Sequence, residues 1–383
     1  MELPTKASNH SFCVLGMMSG TSMDALDLAQ CSFSFDPLSK RWSGALDHLV
    51  EVPMESAWKE RLSGLFHGSA IDWFECERDW SRWCGRAVLD HFDTRTLDLV
   101  VFSGQTIFHR PNLGWTAQVG SGAELHAILD TQVPVVHDLR SLDVALQGNG
   151  APLVPLVDAL LFTEYEACLN LGGFANASFD QGGKRIAWDI GPCNLVLNPL
   201  AERLGKPFDD SGQIARSGQV QSNLFEGWMA LEYHHRQPPK SLGVEWLHKH
   251  FWPVLDAIEN EMALTVEDIL ATATAYIAAS IQKDVGRRKT LVTGGGAFNE
   301  HLLELLSTPV RNGSSELQGL DLIIPDPVLI RGKEAYAFAF LGLLRMLGKE
   351  NVLAEVTGAT RSHIGGALWG HIDVSSPSQK MMQ

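Results

Sequence analysis

Gly16-Met17-Met18-Ser19-Gly20-Thr21-Ser22-Met23-Asp24 sits between two apolar runs, residues 12–17 and 26–35, and a third run follows at 44–52 after an Asp-Pro break. Short apolar runs separated by Gly, Ser, Asp and Pro read as strands joined by tight turns, so the chain is expected to open as an antiparallel three-strand meander. The period then changes. Residues 56–92 follow a helical pattern in which Trp73, Trp80 and Trp83 recur near helical spacing, read here as a core stripe rather than a sugar platform. A buried strand at 97–102, a helix at 121–130 and a strand at 133–136 complete the first half.

The second half repeats this layout. Strands at 168–171, 175–179 and 185–190 alternate with glycine turns and lead into a helix at 194–204. A long helix at 265–284, a strand at 290–293, a helix at 298–306, a strand at 321–324 and a helix at 334–347 follow. Two copies of a meander followed by alternating helix and strand predict an α/β protein of two related domains with a cleft between them. The expected boundaries are 1–133 with 348–383 for the first domain and 134–347 for the second.

Composition narrows the function classes. With 45% hydrophobic and 20% charged residues, the 383-residue chain is neither disordered nor fibrous. Thirty basic against 45 acidic side chains leave a net charge of -15, which repels phosphate backbones, and no basic stripe offsets it, so a nucleic-acid partner is not expected. The apolar stretch 335–344 is about half of what a spanning helix needs, so no membrane crossing is expected. No secretory signal is visible before residue 20, and the expected location is the cytoplasm. Six cysteines form no Cys-x-x-Cys pair and read as reduced structural thiols.

Familiar nucleotide and metal signatures are missing: no Gly-x4-Gly-Lys-Ser/Thr loop, no Gly-x-Gly-x-x-Gly after a strand, no His-Glu-x-x-His. Three glycine turns remain. In the opening stretch, backbone amides and small hydroxyls can approach phosphate oxygens because no bulky side chain intervenes, although a polar hairpin would look the same. The second turn is Asn170-Leu171-Gly172-Gly173-Phe174-Ala175-Asn176, followed after a strand by Asp189-Ile190-Gly191-Pro192-Cys193-Asn194. An aspartate at a strand end can take a proton or bind hydrated magnesium, and the helix behind it offers amides to an anion; an N-cap carboxylate is the plainer reading. The third is Thr293-Gly294-Gly295-Gly296-Ala297-Phe298-Asn299, where a strand enters a helix through glycines suited to close ligand approach or to a flexible turn.

Further stretches fall in order with these turns: Gly104-Gln105-Thr106-Ile107, His109-Arg110-Pro111, Asp138-Leu139-Arg140, Lys333-Glu334-Ala335 and Val356-Thr357-Gly358-Ala359. Together they resemble the phosphate-1, phosphate-2 and adenosine motifs of the sugar kinase, acetate kinase and actin superfamily. Within it, the chain is similar to the anhydro-N-acetylmuramic acid kinase family over nearly its whole length.

That resemblance implies two ribonuclease-H-like (actin-type) α/β domains and a cell-wall recycling reaction. ATP, with Mg2+ held mainly by its phosphates and water, phosphorylates O6 of 1,6-anhydro-N-acetylmuramic acid while water opens the bridge at C1. By motif position Asp189 is the base and Glu334 helps place the water or sugar. Gly16, Ser19, Gly20, Thr21, Ser22, Asp24, Gly172, Gly173 and Gly191 are then expected around the phosphates, and Gly294, Gly295, Gly296 and Asn299 beside the nucleoside. Gln105, Thr106, Asn170 and Asn194 are expected on the sugar, and a homodimer is the expected assembly.

The chain departs from the family pattern mainly on the sugar side. Ser103 replaces a histidine and Ser121 an aspartate; Gln147, Asn149, Ile190 and Cys193 replace smaller or different residues, and Leu242 and Val244 interrupt a Lys-Ser-Thr-Gly-Arg-Glu segment. Weaker handling of this sugar, or preference for an altered anhydro sugar, is expected. The alternative is a catalytically silent member that binds nucleotide or another sugar as a sensor or partner protein.

Overall fold

Strand β1 (Ser11–Ser19) turns back into β2 (Ala25–Asp36), which pairs antiparallel with β3 (Arg41–Pro53). The computed structural model describes residues 11–20, 23–129, 133–238, 240–309, 311–312 and 315–371. Alternation along β2 puts Leu26 and Leu28 into a core with Trp80, Cys84 and Val88, and leaves Asp27 on the opposite face. Parallel strands β4 (Leu99–Phe102) and, after the hairpin β5 (Gln105–Arg110) and β6 (Trp115–Val119), β7 (Val135–His137) extend the sheet beyond β1. The late strand Ala367–Trp369 adds antiparallel to β7, giving the order (367–369)-β7-β4-β1-β2-β3.

The second sheet is built the same way. Its meander is β8 (Ala167–Leu171), β9 (Phe174–Gln181) and β10 (Lys184–Pro192), and β11 (Lys289–Thr293) joins β8 in parallel. A two-residue ribbon, β12 (Arg311–Asn312) with β13 (Ser315–Glu316), precedes β14 (Asp321–Ile323), which pairs with β11. The order β10-β9-β8-β11-β14 repeats the β3-β2-β1-β4-β7 of the first sheet, so the ribonuclease-H-like arrangement occurs twice, as expected. The long helix Val266–Val285 buries nearly its whole length in the second core, with Ile269, Ala273, Tyr276, Ile277 and Ile281 almost fully enclosed.

The chain divides into two compact units, Met1–Leu161 with Gly332–Gln383, and Phe162–Arg331. This division differs from boundaries at 133/134 and 347/348. β7 is hydrogen-bonded to β4 and so belongs to the first sheet, and residues 335 and 339 of the helix Pro327–Met346 pack directly against Gly16 of β1.

Local signals account for other differences. The single helix expected at 56–92 is two, Ser56–Gly64 and Ala70–His91, because Ser69 and Asp72 form a capping box: Ser69 Oγ accepts from the Asp72 amide at 3.2 Å, and Asp72 Oδ2 accepts from the Ser69 amide at 2.7 Å. Such a cap contributes about 1 kcal/mol and sets the helix start. The helix expected from 334 begins at Pro327, where Asp326 Oδ1 accepts the Val328 amide at 2.8 Å. The β5–β6 hairpin and the helices Val154–Leu161, Ser222–Met229 and Trp252–Glu261 were not anticipated. Trp80 is fully buried and stacks on Trp83 with ring centroids 5.0 Å apart, so the tryptophan stripe is core. All six cysteines are free thiols, and no helix among the described residues is long and apolar enough to cross a membrane.

Candidate active site

In the second unit, β8 and β11 run parallel, with Asn170 opposite Thr293 at their carboxyl ends. Ligands of open α/β sheets bind outside such ends, and three turns meet there. Gly294 has φ +81°, and a Cβ on it would lie 2.6 Å from Asn170 Oδ1 and 2.8 Å from the Leu171 carbonyl carbon. A Cβ on Gly296 would lie 2.7 Å from Leu171 Cβ. These two glycines therefore let the third turn press against the end of β8. Gly295 is exposed, with only the Asn194 amide 3.5 Å from where its Cβ would stand, and it is the member of the three open to a ligand. Asn194 Nδ2 donates to the Leu171 carbonyl at 3.1 Å. The structure thus brings together Asn170, Gly172, Gly173, Asn194, Gly294, Gly295 and Gly296.

Two of the expected contacts are taken up within the protein itself. The amides of Cys193, Asn194 and Leu195 donate to the carbonyls of Gly173, Gly172 and Gly173 at 2.9, 3.1 and 3.1 Å, so the start of the helix Asn194–Glu202 is occupied and offers no anion site. Asn299 caps the helix Glu300–Ser307 through Oδ1, which accepts the Leu302 amide at 3.0 Å, and it lies against Gly212; its side chain has a local structural task.

Asp189 lies at a bulge in β10, where the register shifts between Asp189 and Gly191. The Leu242 amide donates to Asp189 Oδ2 at 2.9 Å, and the Tyr233 hydroxyl donates to the Asp189 main-chain carbonyl at 2.6 Å. Oδ1 has no hydrogen bond among the described residues. Burial raises this carboxyl above the ordinary aspartate range and the Leu242 amide pulls it back, which leaves a carboxylate of enhanced basicity with one free oxygen. A Cβ on Gly191 would stand at ordinary contact distance, 3.6 Å from the Tyr276 hydroxyl and 3.8 Å from His234 Cε1, and His234 Nε2 lies 2.7 Å from that hydroxyl. Burial, aided by Lys283 and Lys240, pushes His234 down to about 3 and keeps it neutral.

In the first unit, Ser19 Oγ donates to Gln105 Oε1 at 2.6 Å, and Gln105 Nε2 donates to the Gly20 carbonyl at 3.4 Å; both side chains are buried. Gln105 therefore braces the first glycine turn. Thr106 Oγ1 accepts from Gln118 Nε2 at 3.4 Å. Thr21 and Ser22 lie outside the described residues. Asp24 is exposed and pairs with Lys59 at 2.7 Å. Gly16 has a packing reason of its own, since a Cβ there would stand 2.0 Å from the Ala335 carbonyl oxygen. Glu334, the residue before Ala335 on that helix, is open to solvent on one side while surrounding protein crowds it on the others. That crowding raises its carboxyl, and Arg140 and Lys333 oppose the rise. Lys333 itself is engaged, 2.9 Å from Asp158 Oδ1.

The replaced residues have tasks too. Ser121 Oγ accepts the Glu124 amide at 3.3 Å at the start of the helix Gly122–Leu129, a role serine and aspartate fill about equally, and Ser103 Oγ donates to the Gly104 carbonyl at 3.1 Å. The sequence reading missed Asp27. It stands opposite Glu51 in the β2–β3 register, and burial, then Glu51, then Glu334 raise it to about 7. The alternation of Leu26 and Leu28 was the available signal, since it puts Asp27 on the other face of the strand.

The anhydro-N-acetylmuramic acid kinase family model matches residues 12–371. Proteins named anhydro-N-acetylmuramic acid kinase from Acinetobacter baylyi and Paramagnetospirillum magneticum are each 32% identical, covering 92% of this chain and 98% of their own length. One so named from Burkholderia lata is 33% identical, covering 92% of this chain and 95% of its own length. Because the matched residues take in both units and every glycine turn placed above, the chain belongs to the anhydro-N-acetylmuramic acid kinase family.

Proposed function

We propose that this kinase transfers the γ-phosphoryl group of ATP to O6 of 1,6-anhydro-N-acetylmuramic acid while water opens the anhydro bridge at C1. The observation that carries the reading is Asp189, a partly buried carboxylate fixed through its main chain and Oδ2, with Oδ1 left to take a proton. Water oxygen bonds to C1 as the C1–O6 bond breaks, and O6 bonds to the γ-phosphorus as the bond to ADP breaks. The water proton goes to Asp189 Oδ1. Glu334, raised by crowding, would orient the water or a sugar hydroxyl. Exposed Gly295, beside Asn194, would let the nucleoside approach closely.

Mg2+ would arrive with the nucleotide, held mainly by its phosphates and by water, as in phosphoryl transfer generally. When bound, the ion neutralises charge on the transferring group. Cell-wall sugar recycling follows from the family, operation in the cytoplasm is in keeping with six free thiols, and a homodimer would use exposed Ile71 and Phe74 on one helix.

Asp189→Asn tests the reading. Turnover should fall by about 10²–10⁴-fold while ATP affinity stays within a few-fold, because asparagine keeps the shape but cannot take the proton. Undiminished turnover would remove Asp189 from the chemistry. Reaction in ¹⁸O-water should place the label at C1; label in phosphate instead would overturn the bridge-opening step.

A further inference from the structure

The loop at 240–243 takes no part in the steps above, yet it supplies the group that touches Asp189 Oδ2. Lys240 enters unit two almost wholly, its side chain 6% exposed. Its ammonium donates to the Tyr233 carbonyl at 3.4 Å, sits 4.8 Å from the centre of the Tyr233 ring, and lies 3.7 Å from Asp284 Oδ2. That same Asp284 oxygen accepts the Trp188 indole N–H at 2.7 Å, and Trp188 is the strand residue immediately before Asp189. One cation thus ties together the residue whose hydroxyl holds the Asp189 main chain, the carboxylate that anchors its neighbour, and the loop whose next-but-one amide bonds its side chain.

We propose that Lys240 is a positioning residue, clamping the loop so that the Leu242 amide stays on Asp189 Oδ2 and Oδ1 is left facing its reactant. The proposal rests on the reading of Asp189 as the base. Because the donor is a main-chain amide, a leucine at 242 serves as well as a threonine, which explains how the Lys-Ser-Thr-Gly segment tolerates that departure. A buried lysine pays desolvation unless its partners are complete, so a cation held this way marks a fixed geometry rather than a solvated face. The titratable and charged groups around Asp189 in this unit include Tyr233, His234, Lys240, Tyr276, Lys283 and Asp284, with Arg236 acting on Tyr233 and His235 on His234. His234 and both phenols are neutral across the working range, since burial holds His234 low and raises the two tyrosines.

The sign of the effect follows. A hydrogen bond to the charged carboxylate lowers its pKa, so losing the Leu242 donor raises it and delays the appearance of the base as pH rises. A bond to a charged group corresponds to about one pH unit or more. Lys240→Met should therefore move the acid limb of the kcat/KM profile upward by about one unit, with the KM for ATP little changed. Leu242→Pro, which deletes the amide hydrogen and leaves Lys240 in place, should give the same displacement. In the wild-type protein, hydrogen exchange at the Leu242 amide should be slow. Acid limbs at the wild-type position in folded Lys240→Met and Leu242→Pro overturn the clamp, as does exchange at Leu242 at the free-solvent rate. Full activity of Asp189→Asn would instead remove the base, and that result is separate from either of these.

Discussion

Alanine at position 16 would place a methyl group 2.0 Å from the Ala335 carbonyl oxygen, 2.9 Å from its carbonyl carbon and 3.0 Å from Ala339 Cβ. Non-bonded carbon contacts settle near ~3.5–4 Å, so strand and helix must separate by roughly 1 Å or more. Two of the three obstructing atoms are main chain and cannot rotate aside. β1 is hydrogen-bonded on both edges, to β2 and to β4, so the displacement falls on the helix and on the buried Ala337, Phe338 and Phe340 it carries. Overpacking typically costs about 1–3 kcal/mol, and a clash with backbone belongs at the upper end. Each kcal/mol lowers the melting temperature of a unit this size by about 2–4 °C, so Gly16→Ala should melt about 6–12 °C lower. The assay is a thermal melt beside a calorimetric titration with an ATP analogue. An unchanged melt with abolished nucleotide binding would refute the packing account and return Gly16 to the phosphate site.

Asp27→Asn should stabilise the protein increasingly between pH 4 and pH 7. A folded-state pKa raised from 3.8 to about 7 means that the protonated form is favoured, so the wild type loses stability as pH rises through this window while the asparagine variant does not. Full conversion of the shift gives a ceiling of about 4 kcal/mol, and partial exposure reduces the expectation to about 1–2 kcal/mol. Urea titrations at pH 4.5 and 7.5 that give the same difference between the two proteins would contradict it. Gly294→Ala should weaken nucleotide binding and lower stability by about 1–3 kcal/mol, because it forces an L residue to a positive φ against Asn170. Retained binding in a stable variant would show that the turn can open.

The two meanders were legible because their signals are local: glycine turns, and alternation such as Leu26 and Leu28 inward around Asp27. The β5–β6 hairpin was not, since Pro111-Asn112-Leu113-Gly114 reads as a plain loop and the register shift between Thr106 and Phe108 breaks the period. Asp189 was found by its place at a strand end. What holds it was hidden, because the donor is the backbone amide of Leu242, 53 residues away, and no side-chain pattern announces a main-chain contact. Gly16 carries a packing reason that the sequence hid for a related cause: a glycine that admits a phosphate and one that admits a helix backbone look alike until Ala335, far along the chain, is seen against it.

The first unit is assembled from two distant stretches, whereas the second is one uninterrupted stretch, Phe162–Arg331. During synthesis at roughly 5–20 residues per second, the 170 residues from 162 to 331 take on the order of ten to thirty seconds to emerge. Throughout that interval β1 lacks the helix residues that cover Gly16, and β7 lacks its edge partner Ala367–Trp369. The later half can therefore finish folding first. Until residues 332–369 have emerged, the first sheet lacks both the helix that covers Gly16 and the strand that pairs with the edge of β7.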